Sequence, residues 1–362
     1  MKNSFGYHES SLLMPLCLRK QQSLPVSYRS FFLTFTDAVR SLFRTISLPP
    51  GAVILLPGFY CQETMSFFES FGKIVFYRIN DDLTVNEESY RSQCAAHDPV
   101  VVVHYAFFGF PETLAREHSE TSARLIIDDG AHRLLPPSSP PPPHTVYIDS
   151  ARKRTTFLGS HVIGAEKSLE GSLVNWYGVR CTLLHIWYAL LGCLSHFSTS
   201  KKIYSLFESA FEAFDGALGT GKNPTRGNIL SYWLWNHLDF KKISCHTATL
   251  WQAYDEELSL LPKKFIYCPA QPSDRDTAYV PILLADEIRE ALIAFLENRS
   301  VHIYPLWDCP KRTDAEINKN LYHSLCALPL TWLTRQQDIR FFGRMCREFF
   351  TAYEEKKDSR FS

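Results

Sequence analysis

From residue 30 to residue 166 the chain alternates two hydrophobic patterns. Short runs dense in β-branched and aromatic residues fall at 53–57 (VILLP), 73–79 (KIVFYRI), 99–107 (PVVVVHYAF), 123–127 (ARLII), 144–148 (HTVYI) and 160–164 (SHVIG). Their length and composition predict strands. Between most of them lie stretches with apolar residues three and four apart, such as 35–46 (FTDAVRSLFRTI) and 62–71 (QETMSFFESF), which predict amphipathic helices. The run VVVV is apolar on consecutive positions, so both faces of that strand should be covered. Strands alternating with helices imply an α/β fold with a mostly parallel sheet and helices on both sides.

Beyond residue 166 the chain turns helical and aromatic up to Pro262. A strand-like segment follows at 277–284, then an amphipathic helix at 286–299 with Ile288, Ala291, Leu292, Phe295 and Leu296 on one face. An extended piece at 301–307 and a helix near 335–355 complete a strand–helix–strand–helix tail. The expected division is an N-terminal segment (1–29), a large domain (30–260) and a smaller C-terminal domain (261–362). The tract 136–143, PPSSPPPP, cannot be helix or inner strand, because proline lacks the N–H and fixes φ, so it reads as a stiff surface connection. The apolar run 181–197 is shorter than the roughly 20 residues of a spanning helix and carries two histidines, so it reads as a buried or subunit-interface helix.

Composition narrows the classes. The chain has 362 residues, enough for a large core, with 45% hydrophobic and 21% charged residues, which excludes broad disorder. Lys+Arg and Asp+Glu both number 38, so the basic surplus of a nucleic-acid binder is missing. The ten cysteines form no C-x-x-C pair, and no metal site is expected from them. With no long apolar core behind the N-terminal basic residue we read no signal peptide, and free thiols then point to a reducing cytoplasm.

Ligands of parallel α/β sheets bind beyond the carboxyl ends of the strands, so the polar residues there are the candidates. These are Tyr60 and Cys61 after the first long strand, His104 and Tyr105 on the third, Asp128, Asp129 and His132 after the fourth, and Ser150 and Lys153 after the fifth. A lysine becomes a nucleophile when it sheds its proton, and the flanking Arg152 and Arg154 would favour that. Singly, each residue has a plainer reading: Asp-Asp as a turn or helix cap, Ser-x-x-Lys as coincidence, His132 as a hydrogen-bonded core histidine. Their shared place at strand ends is what favours chemistry.

The segments GAVILLPGFYCQETMSFFESFGKIVFYRI, VVVHYAFFGFP, LIIDDGAHRL and DSARKRTTFLGSHVIG together resemble the DegT/DnrJ/EryC1/StrS aminotransferases over about residues 30–166. VHIYPLW and CALPL fit the same family's C-terminal pattern. The resemblance implies the two-domain fold of fold type I enzymes that use pyridoxal 5′-phosphate (PLP), in a homodimer. It implies that Lys153 holds the cofactor as a Schiff base, Asp129 partners its pyridine nitrogen, His132 meets the ring hydroxyl, and Ser150 and Thr36 hold the phosphate. The cover of the ring falls at Tyr60 or Cys61, with Tyr60 taken because a thiol cannot stack; His104 and Tyr105 become substrate contacts, and Asn223 a residue reaching the partner subunit's cofactor. Phe35 stands where the family carries a glycine. The implied reaction moves an amino group from a donor such as glutamate to a keto or aldehyde acceptor, a 4-keto nucleotide sugar being the family's usual one. A PLP-dependent lyase or dehydratase, and a non-catalytic relative, remain open alternatives.

Overall fold

The computed structural model describes residues 5–6, 28–109, 123–133, 137, 139–153, 157–165, 167–173, 175–197, 200–268, 279–299, 301–330 and 334–358. A seven-stranded sheet runs in the order β2 (Phe31–Phe32), β8 (Ser160–Ile163), β7 (Thr145–Ile148), β6 (Leu125–Asp129), β5 (Val101–Tyr105), β3 (Val53–Pro57) and β4 (Lys73–Tyr77). From β7 to β4 every pairing is parallel, while β8 and β2 add on antiparallel. The expected mostly parallel α/β architecture is therefore present. All five residues of β5 are buried, as its run of valines requires when both faces are covered.

Helix α1 (Phe35–Ile46) begins where Thr34 accepts a hydrogen bond from the Asp37 N–H, and it ends at Ser47 in the left-handed region. Its apolar stripe, Ala38, Val39, Leu42 and Phe43, enters the main core. Helix α2 is Gln62–Glu69 and α3 is Glu87–His97. The α3 sequence is polar; the Asn86 cap on Ser89 N–H and two acidic residues in the first turn support it instead. Gly58 follows β3 because a Cβ there would lie 2.1 Å from the Glu316 carbonyl oxygen. The C-terminal part of the chain thus packs directly on the rim of the main sheet, and Asn318 N–H donates to the Gly58 carbonyl.

Among the described residues, four helices lie between β8 and the next strand: α4 (Trp176–Phe197), α5 (Lys201–Asp215), α6 (Ile229–Asn236) and α7 (Phe240–Leu258). Helix α4, which contains the 181–197 run, packs one side on α5 through Cys181, Tyr188, Leu191, Phe207 and Phe214. Its other side exposes Trp176, Val179, Leu183, Ile186, Trp187, Leu190 and Leu194, at 39–76% of their surface. Among the described residues no helix is long and apolar enough to cross a membrane.

A second, antiparallel sheet has the order β12 (Tyr304–Pro305), β13 (Leu325–Pro329), β10 (Tyr279–Leu284) and β9 (Ile266–Tyr267). Its strands alternate between two cores. Tyr279, Leu283, Leu325 and Ala327 join the core of the large sheet. Val280, Ile282, Leu284, Cys326 and Leu328 face a second core with α7, α8 (Asp286–Glu297) and, beyond the short α9 (Lys319–Ser324), α10 (Gln336–Asp358). Residues 279–284 are apolar throughout because both faces are buried. The second core already includes Leu250, Trp251 and Tyr254 of α7, ahead of the expected division at 260/261. The short strand β1 (Phe5–Gly6) pairs with β11 (Val301–His302), tying the N-terminal segment to the C-terminal part. The parts of the proline tract that are described, 137 and 139–143, lie outside helix and strand.

Candidate active site at the strand ends

Beyond the carboxyl ends of β3, β5, β6 and β7 lies a cavity of about 1010 Å³. It opens there because the parallel register lines up Tyr105, Asp129 and Ile148 across three neighbouring strands. The chain then leaves each strand at the same level.

Asp129 ends β6 and is 3% exposed. Its Oδ1 accepts from the Ala131 N–H at 2.9 Å, and its Oδ2 accepts from the Tyr60 hydroxyl. Burial pushes the Asp129 carboxyl up to about 7, against the pull of those donors and of the Lys153 charge. Gly130 is required next, since a Cβ there would sit 2.1 Å from the Tyr147 ring. His132 is buried in an aromatic nest of Tyr105, Phe108, Tyr279 and Trp307, with the Trp307 ring stacked on it at 6.0 Å.

Ser150 and Lys153 are joined by a tight 3-10 turn, Ala151–Lys153, in which Lys153 N–H donates to the Ser150 carbonyl. The three-residue spacing therefore puts both side chains on the cavity wall. The turn is pinned from behind: Ala151 N–H donates to the Gly159 carbonyl, and buried Asp149 accepts from the His161 N–H at 2.7 Å. Arg152, also on the cavity wall, pairs with Asp215 of α5 at 3.7 Å. Lys153 is the one lysine among the described residues that line the cavity.

At the opposite end stands the first turn of α1. The Thr36 hydroxyl lies 3.0 Å from that of Thr34, and both line the cavity with Phe35 and Arg40. Asp37 is fully buried beneath them. It accepts from the Thr34 hydroxyl and from Thr225 N–H, and burial pushes its carboxyl up to about 6.

Seven of the nine expected site residues, Lys153, Asp129, His132, Ser150, Thr36, Tyr60 and Tyr105, line this one cavity. The other two do not. His104 lies on the other face of β5, with its Nε2 3.2 Å from the Tyr90 hydroxyl of α3, because successive strand residues point to opposite faces. It cannot contact a substrate bound beside Tyr105. Asn223 sits outside the cavity and accepts from Arg44 at 2.7 Å. Tyr60, expected as a ring cover, has its hydroxyl on Asp129 and its backbone N–H and carbonyl both bonded to the Tyr322 hydroxyl at 2.8 Å. Tyr322, Trp307 and Arg40 escaped the sequence reading. The first two belong to a distant part of the chain, and a single arginine inside an amphipathic helix carries no signal of its own. Among the described residues there is no cluster of His, Cys, Asp or Glu fit to hold a metal.

No protein-family model matches the sequence, and no curated protein matches it. Solved structures do. A DegT DnrJ EryC1 StrS aminotransferase from Brucella abortus is 16% identical, with 88% of this chain and 85% of that chain covered at a TM-score of 0.58. DesV of S. venezuelae is 14% identical over 91% and 90%, at 0.58. The aminotransferase TlmJ from Streptoalloteichus hindustanus is 12% identical over 96% and 92%, at 0.59. Over nearly its whole length, then, this chain has the fold of the DegT/DnrJ/EryC1/StrS aminotransferases.

Proposed function

We propose that this protein is a PLP-dependent aminotransferase of the DegT/DnrJ/EryC1/StrS kind. The observation that carries the reading is the meeting of Lys153, Asp129, Ser150 and Thr36 in one cavity at the strand ends of that fold. The donor set suits the cofactor: one amine for its aldehyde, a buried carboxyl for its ring nitrogen, and hydroxyls at a helix N-terminus for its phosphate. When bound, PLP supplies an electron sink that lets a proton leave the carbon carrying the amino nitrogen.

The residues then divide the work. Lys153 Nζ would hold the aldehyde at rest, and once released would take the proton from the donor's α-carbon and later return one. Asp129 would keep a proton on the ring nitrogen. Its carboxyl, raised to about 7 by burial, gains a cation there that favours its charged form. Thr36 and Ser150 would bind the phosphate, and His132 the ring hydroxyl. Tyr60, Tyr105 and Trp307 line the cavity, and their rings would screen a bound cofactor from water. Glutamate is the proposed donor and a keto or aldehyde compound the acceptor, with a 4-keto nucleotide sugar the first to test.

Purified protein given PLP should show a visible absorbance band that borohydride removes, and Lys153→Ala should lack it. Wild type that stays colourless with added PLP would sink the reading. Consumption of glutamate with a keto acceptor separates transamination from elimination or dehydration. We also infer a cytoplasmic homodimer. The outward side of α4 supports it, since seven large apolar side chains on one helix face are more than a monomer usually leaves in water. Light scattering should give twice the chain mass, and Leu183→Lys with Leu190→Lys should reduce it to one.

A further inference from the structure

Arg40 is 9% exposed, lines the cavity beside Thr34 and Thr36, and is not accounted for by the chemistry above. Its Nη2 donates to the Gly219 carbonyl at 3.2 Å, and its guanidinium lies over the Phe67 ring at 5.1 Å. Its Nη1 is buried and has no hydrogen-bond partner among the described residues. The nearest carboxylate oxygen, Asp37 Oδ1, stands 3.6 Å away and already accepts from Thr225 N–H, while Oδ2 accepts from the Thr34 hydroxyl. A buried guanidinium N–H without an acceptor is costly, and on a residue that lines a cavity that cost is relieved when the guanidinium turns to an anion bound there.

The surroundings say which anion. At the start of α1 the Asp37 N–H is already used by the Thr34 cap, and Phe35 occupies the position where a glycine would let an anion approach the backbone. The helix end alone therefore offers fewer donors than a phosphate monoester needs. We propose that Arg40 is the phosphate anchor of this site, its guanidinium turning to donate an N–H to the cofactor's phosphate alongside Thr36. The assignment rests on the PLP reading of the cavity. It explains how the cradle works with Phe35 in place: a side-chain donor from the second turn of α1 replaces backbone donors from the first.

The test is a binding titration, read by absorbance, of PLP and of pyridoxal, which lacks the phosphate. Wild type should prefer PLP strongly. Arg40→Gln should weaken PLP by roughly 10- to 100-fold, the loss of one charge-assisted hydrogen bond. It should change pyridoxal binding less than about threefold, the residual expected of a group that never touches the ring. Inorganic phosphate should compete with PLP in wild type and fail to do so in Arg40→Gln. Arg40→Lys, which keeps the charge and the fold, should lie between. Equal losses for PLP and pyridoxal would make Arg40 a prop for the Gly219 loop and overturn the proposal, as would an unchanged PLP affinity. Wild type that binds neither compound would instead overturn the PLP reading itself.

Discussion

The two ends of the cavity are built by different means. At one end Asp129, His132, Ser150 and Lys153 stand on turns that leave adjacent parallel strands in register. At the other, Thr36 and Arg40 stand on a single helix whose position depends on a remote loop, through Arg40 to Gly219, Asp37 to Thr225 and Arg44 to Asn223. The strand-end cluster follows the motif order in which this sequence resembles the DegT/DnrJ/EryC1/StrS aminotransferases. The helix end departs from it, with Phe35 for glycine and a buried carboxyl beneath. A sheet holds its strand ends rigidly whatever surrounds them, whereas a helix end can exchange backbone donors for side-chain donors without moving.

The sharpest way to break this comparison is at Asp129. Asp129→Asn should lower transamination by on the order of 10²–10³-fold while PLP still binds, because an amide cannot hold a pyridinium proton. A loss confined to PLP affinity, measured by titration, would place the residue at the helix end's kind of work instead.

Asp37 tests the other end through pH. Its folded carboxyl sits at about 6 against an ordinary 3.8. Below about pH 4 both folded and unfolded states are protonated. Between there and pH 6 the unfolded chain releases its proton first, so this group's contribution falls as pH rises. The shift of about two units corresponds to roughly 3 kcal/mol lost by pH 7. Thermal melts of the cofactor-free protein should therefore show Asp37→Asn flattening the decline between pH 4 and 7. An identical slope in the variant would mean Asp37 is charged in the fold. Asp129 acts in the same direction, so the double variant should flatten the curve further.

The smallest effect is expected at His104. His104→Gln should cost about 1 kcal/mol of stability through the Tyr90 contact and leave turnover within twofold. A large fall in turnover would put it back in the site.

Much of this was legible in the residues themselves. The spans VILLP, HTVYI and 35–46 coincide with or lie within one residue of β3, β7 and α1, because strong local periodicity and a threonine cap agree with the tertiary structure. The strand-end rule then selected Asp129, Ser150 and Lys153. It failed at His104, since a strand pattern that is apolar on both faces does not say which side holds the ligand. It was silent on Trp307 and Tyr322, more than 200 residues from Tyr60 in sequence, which meet it only when the second sheet docks.

By itself, then, the sequence determined the alternation of strands and helices and the chemistry available where strands end, because both follow from local periodicity. Only the tertiary structure decided which face of β5 is the inside. It alone buried Asp129 deeply enough to raise its carboxyl to about 7, closed the aromatic wall from the C-terminal part, and set Arg40 on the cavity wall with Nη1 buried and without a hydrogen bond. Those properties come from what each group is packed against, and that is written in contacts between distant residues.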